Sequence, residues 1–200
     1  FISEKYNKWI TNVYSRGRVH LLRANHDSIL TTSKTILKDN PMLNCRIDGL
    51  QHCSPKRFVI DKNLTIPMTS KIVRTANNIS TYVFYNSIDN NKLKKLSQVK
   101  VKTIRIDLKN KHLDFNKIIL FLRNKGFYRV FVEAGIKFNN FLLDNFYIND
   151  FYHFYSDQLF GNRGFYNAKF FFNKMNKIKR SKREIEINLF QDKLLKYSLK

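Results

Sequence analysis

Val130-Phe131-Val132-Glu133-Ala134-Gly135, with the apolar-periodic run behind it, carries a strand-to-helix signature. Three apolar residues read as a buried strand, a small-residue turn follows, and a helix is expected over residues 136–145. A helix N-terminus presents free N–H groups and partial positive charge, which suits phosphate. Gly135 lets a ligand approach the backbone closely. Glu133 stands at the carboxyl end of a strand, where α/β sheets place ligands. An ordinary turn with a solvated glutamate fits the same residues, and the GxGxxG fingerprint is absent. The turn alone leaves both readings open.

Working outward, strands and helices alternate. Thr11-Asn12 can cap a helix reaching about Asn25, and Ser28-Ile29-Leu30-Thr31 reads as a strand. Residues 33–38 make a short helical turn closed at Asn40-Pro41, because the residue before proline avoids the α region. Residues 57–61, 81–85 and 101–106 read as strands, the last by apolar–polar alternation. Asp114 caps a helix ended by Lys125-Gly126, and a buried strand is expected over 128–132. Residues 151–155 are strand-like. Runs 184–190 and 193–197, separated by Gln191-Asp192, read as a closing hairpin, and 174–183 as a mobile basic surface connector. The pattern implies a single α/β domain over residues 1–200, with a mixed sheet covered by helices.

Composition narrows the function classes. Of 200 residues 43% are hydrophobic, including 18 Phe and 10 Tyr, enough for a sizeable core. The net charge of +22 is dispersed over 92–102, 109–111 and 174–183 rather than gathered in one footprint. Lys, Asn, Ile, Phe and Tyr are the residues that AT-rich codons encode, which explains much of the basicity without nucleic acid. The same field suits small phosphorylated ligands. Cys45 and Cys53 form no disulfide framework or CxxC pair, and His20, His26, His52, His112 and His153 lack metal-ligand spacing. No metal is expected, and a reducing, cytoplasmic setting fits. No stretch matches a membrane span or secretory leader.

A second candidate region runs from Leu21 to Arg46, where hydroxyls crowd the end of a strand and an Asp39-Asn40-Pro41 turn lies between Arg23 and Arg46. Guanidinium forks suit a phosphate monoester, although each arginine taken singly reads as a solvated surface charge.

Trp9-Ile10-Thr11, Leu22-Arg23-Ala24, Ile29-Leu30, Thr35-Ile36-Leu37, Asp39-Asn40-Pro41 and Leu43 with Arg46 resemble the reductase domain of bacterial riboflavin biosynthesis deaminase/reductase proteins. Val59-Ile60-Asp61, Val132-Glu133-Ala134-Gly135 with Phe141-Leu142-Leu143, and Leu159-Phe160-Gly161 extend the resemblance in collinear order. It implies a dihydrofolate-reductase-like mixed sheet flanked by helices. It also implies NADPH-dependent reduction of 5-amino-6-(5-phosphoribosylamino)uracil by a homodimer. Trp9, Thr35, Asp39, Gly135, Ile136, Lys137, Phe138, Asn139, Asn140 and Phe141 would meet the cofactor. Arg23, Leu43, Arg46 and Glu133 would meet the substrate, with Glu133 positioning it or assisting proton transfer. Lys62 is a candidate for a cofactor 2′-phosphate, set against a solvated strand-end lysine.

Some features depart from the pattern. Asn7 replaces a common serine, and residues 136–140 are bulkier than usual after the glycine. The chain is expected to lack the family's first strand and the zinc deaminase domain that precedes it. A pterin or dihydrofolate-type reductase on the same fold, and a basic nucleic-acid-binding module, are the alternatives.

Overall fold

Asn12 starts helix α1 (Val13–Ala24) by accepting the Ser15 N–H at 3.0 Å on its side-chain oxygen. The computed structural model describes residues 10–156 and 168–199. The chain divides into two compact units, His20–Gly135 and Phe1–Val19 with Ile136–Lys200.

In the first of these, β1 (Ser28–Thr32), β2 (Lys56–Ile60), β3 (Thr81–Tyr85) and β4 (Lys102–Arg105) alternate with α2 (Ser33–Asp39), α3 (Lys71–Arg74) and α4 (Asn90–Gln98). A two-stranded β5–β6 ribbon (Leu108–Lys109, His112–Leu113), α5 (Phe115–Asn124) and β7 (Val130–Val132) follow. The sheet has the order β4-β3-β2-β1-β7, and every pairing is parallel. Alternate side chains feed two packed faces. Ile29, Val59 and Val83 join Ile36, Leu43, Ile66, Ile72, Leu96 and Val101 on one face. Phe58, Tyr82 and Phe84 meet Phe121 and Phe127 on the other through stacked and edge-on rings.

β7 is shorter than the sequence suggests. Asp27 takes the N–H groups of Tyr128 (3.2 Å) and Arg129 (3.0 Å) on its carboxylate, so these residues lie outside the strand proper. The Asn40-Pro41 stop is real but has a second cause. Asn40 is left-handed (φ 41°), donates its N–H to Ile36, and accepts the Lys71 N–H at 2.8 Å on its side chain.

In the other unit, β8 (Asp150–Tyr155), β10 (Lys193–Ser198) and β9 (Ser181–Glu184) form an antiparallel sheet in that order, accompanied by α6 (Ile136–Asp144) and α7 (Lys169–Ile178). Leu143, Phe171, Met175 and Tyr197 make its core. Parallel and antiparallel ladders thus fall in separate sheets. Helical crossovers return the chain in the same direction, whereas the β9–β10 hairpin reverses it.

Two local expectations fail here. Residues 174–183 are not a loose connector: α7 reaches Ile178, its Phe171–Met175 spacing burying one face, and β9 begins at Ser181. The hairpin arm is residues 181–184 rather than 184–190, since Ile187 donates to the Ile185 carbonyl and breaks the alternating run. Asp192 is held instead by the start of α1, accepting from Asn12 N–H (2.8 Å) and Ser15 Oγ (2.6 Å). Among the described residues no helix is long and apolar enough to cross a membrane.

Candidate active site

Glu133 follows β7 directly, and neighbouring β1 fixes its main chain on both sides. Its N–H donates to Leu30 O (3.1 Å), and its carbonyl accepts Thr31 Oγ1 (2.7 Å). The carboxylate receives Arg23 as a two-point fork: Nε to one oxygen at 2.6 Å, Nη2 to the other at 2.8 Å. The pair is largely desolvated, with Arg23 11% and Glu133 24% exposed along their side chains. A bidentate guanidinium fixes both the place and the plane of a carboxylate. Arg23 Nη1 also donates to Asn44 O at 2.9 Å, tying α1 to the loop after α2.

Arg46 extends from that same loop and remains exposed. Its Nε (3.2 Å) and Nη2 (3.1 Å) face Nε2 of His20, whose Nδ1 lies 3.0 Å from Asn44 O. Only a protonated Nδ1 can bond a carbonyl, so this network assigns the neutral ring's lone pair to Nε2. Burial lowers the His20 pKa below its ordinary value, and the charges of Arg23 and Arg46 add to that effect.

The expected residues therefore separate. Arg23, Arg46 and Glu133 come together, with Arg23 engaged chiefly by Glu133 and Arg46 presenting the exposed guanidinium. Leu43 contributes differently: its side chain is 1% exposed in the core and its backbone is left-handed (φ 52°), so a ligand at Leu43 meets main chain. Thr35 lies in the first turn of α2 with its hydroxyl 3.4 Å from that of Thr32, and Asp39 is exposed at the other end of α2. Gly135 is exposed, and an added Cβ there would meet open space. Among the described residues, packing does not demand glycine at this turn, which suits a ligand at the backbone. Lys137 is exposed in the first turn of α6, with Phe138, Asn139 and Asn140 half-buried beside it. Phe138 stacks on Phe141 with centroids 5.9 Å apart. Lys62 donates to the Lys111 carbonyl at 2.8 Å. Trp9 and Leu159-Phe160-Gly161 lie outside the described residues.

Sequence reasoning overlooked His20. Its spacing of three from Arg23 on α1 was the available signal, because that interval puts two side chains on one helix face. Asp61 was read only as the end of a strand. It is buried, accepts Thr65 Oγ1 (2.8 Å) and Ile66 N–H (2.9 Å), and so builds the turn after β2.

A family model for the RibD C-terminal domain matches residues 3–182. The chain belongs to the RibD C-terminal domain family. It is 27% identical over 157 residues to the riboflavin biosynthesis protein RibD of Actinobacillus pleuropneumoniae, covering 78% of this chain and 41% of that protein. It is 30% identical over 160 residues to the 5-amino-6-(5-phosphoribosylamino)uracil reductase of Buchnera aphidicola, covering 72% of each. The chain thus spans less than half the length of the RibD relative and most of the shorter reductase. In fold it is similar to Acinetobacter baumannii RibD, with a TM-score of 0.73 at 20% identity, over 100% of this chain and 54% of that one. The Saccharomyces riboflavin biosynthesis reductase Rib7 gives a TM-score of 0.69 at 22% identity, covering 94% and 82%. These likenesses carry the family's α/β architecture, with its parallel central sheet flanked by helices, onto this chain.

Proposed function

We propose that this chain is a riboflavin-pathway reductase domain, reducing 5-amino-6-(5-phosphoribosylamino)uracil to the phosphoribitylamino compound with NADPH. The observation that carries the reading is the Arg23–Glu133 fork at the carboxyl ends of β1 and β7. It stands where parallel sheets receive ligands, in a chain of the RibD C-terminal domain family.

Glu133 is held rigidly on three sides, so its role is to orient the ribose or its amine. Arg46 offers a planar, exposed fork for the phosphate. The backbone at Leu43 borders the same loop. Gly135, Thr35 and Asp39 are the cofactor contacts in the first unit, and the family resemblance assigns Ile136, Lys137, Phe138, Asn139, Asn140 and Phe141 of α6 to the cofactor as well. The open space at Gly135 fits that assignment. NADPH, when bound, would supply the hydride for the sugar's first carbon, presented as an open-chain imine or carbonyl. A proton from solvent or a neighbouring acid completes the reduction. Binding and orientation are what the protein contributes. A cytoplasmic homodimer completes the reading.

The test follows NADPH absorbance with the phosphoribosylamino pyrimidine and, separately, with dihydrofolate. Turnover with the first alone supports the reading, and E133A lowers kcat/KM by about 100-fold, the scale of a lost orienting group. A folded protein that consumes NADPH with neither, or only with dihydrofolate, overturns it. Light scattering checks the dimer.

A further inference from the structure

Nε and Nη2 of Arg46 form the side-on edge that carboxylates and phosphates bind with two parallel hydrogen bonds. In this structure that edge faces His20 Nε2, at 3.2 and 3.1 Å. The imidazole is held from its far side by Asn44 O, with Nδ1 at 3.0 Å. An oxyanion seated on the Arg46 edge therefore competes with His20 for the same two donors and lies beside His20 Nε2.

We propose that His20 is a titrating member of the phosphate subsite: a phosphate monoester takes the Arg46 fork from His20 Nε2, and that nitrogen takes up a proton and donates to the phosphate. The proposal rests on the phosphorylated substrate proposed above. One N–H bond forms at Nε2, the proton comes from bulk water, and no other bond changes.

The charges around the ring give this step its direction. Arg23 on α1 and Arg46 on the loop oppose protonation, and Glu133 at the end of β7 favours it. Without the phosphate, burial and the two arginines keep His20 neutral and an acceptor. A dianion offsets Arg46 and supplies an acceptor for the new N–H. The Asn44 carbonyl continues to accept from Nδ1 throughout, so the ring need not turn. Binding is therefore linked to proton uptake, and affinity weakens as pH rises through the pKa of His20 in the complex.

The experiment is titration calorimetry of the protein with ribose 5-phosphate at one pH near 7.5, in two buffers of different ionisation enthalpy. The wild type takes up a fraction of a proton per ligand in excess of H20Q, and the His20 variants bind about tenfold more weakly, one charge-assisted hydrogen bond having been lost. H20N is the second variant, should H20Q fold poorly. Comparison at equal pH cancels the ligand's own ionisation. Equal uptake in wild type and variants overturns the role of His20 while leaving the reductase reading intact. Absence of binding by the wild type overturns the phosphate subsite itself, and NADPH turnover then judges the reductase reading separately.

Discussion

A guanidinium fork and the carboxylate it holds lose two hydrogen bonds when either partner is truncated. Arg23 and Glu133 are largely withdrawn from water, so a lone survivor keeps a desolvation cost without compensation. R23M and E133M are each expected to destabilise by about 1–3 kcal/mol, and the double variant by less than their sum. Urea unfolding of the four proteins measures that coupling. His20 and His153 each contribute to the acid limb of stability. Burial lowers both pKa values, with Lys182 adding to the effect at His153. The unfolded chain binds protons near the ordinary value of 6.5, above the folded values. Stability contributed by the neutral rings is therefore full above about pH 6.5 and falls as pH drops towards the folded pKa values. Melting temperatures recorded between about pH 7.5 and 5.5 should fall with acidification, and H20Q should flatten the slope. Both arginines and the glutamate were legible as residues of interest. Their division of labour was not, since it depends on which fork meets which acceptor.

At the scale of elements, Asn40 and Arg57 show what ends a helix and what anchors a loop. Asn40 is at once a left-handed terminus of α2 and an acceptor for the first N–H of α3. N40A loses both features and should cost about 1–2 kcal/mol, whereas N40G relieves the backbone and costs less. Chemical denaturation distinguishes them. Arg57 on β2 is fully buried and donates to Met42 O (3.1 Å), Ile72 O (3.0 Å), Thr75 O (3.0 Å), Ile79 O (2.8 Å) and two threonine hydroxyls. Its burial lowers the guanidinium pKa to about 10, so it remains charged at neutral pH. R57M leaves several buried carbonyls without their donor, and a loss of about 3 kcal/mol or more in urea unfolding is expected. The sequence displays Arg57 as one more base in a basic chain. Nothing local to β2 foretells that carbonyls from residues 42, 72, 75 and 79 converge on it, because those contacts come from the packing of loops distant in sequence.

At the scale of the whole molecule, charge opposes folding and patterning supports it. A net charge of +22 on 200 residues imposes self-repulsion that salt screens. The melting temperature should rise as NaCl is increased from about 20 to about 300 mM, where the screening length falls below about 10 Å. A flat or falling response in a melting curve would set that account aside. The sequence by itself determined most of the strands and the helices α1, α2, α5 and α6, because a hydrophobic period of two or of 3.6 is a local property, but it did not mark α3, α4 or α7. It also determined the family, because the motifs lie in collinear order. Tertiary structure alone decided the strand boundaries at Asp27 and Ile185, the conversion of 174–183 into helix and strand, and the His20–Asn44–Arg46 network. At Asp27 and in the His20–Asn44–Arg46 network a side chain or carbonyl far away in sequence supplies the hydrogen bond, and β9 exists only through its pairing with β10, so local patterning carries no record of these partners. The Glu133-Ala134-Gly135 turn shows both halves. Its strand-to-helix geometry is written in the residues, while the hand that steadies Glu133 is an arginine 110 positions earlier.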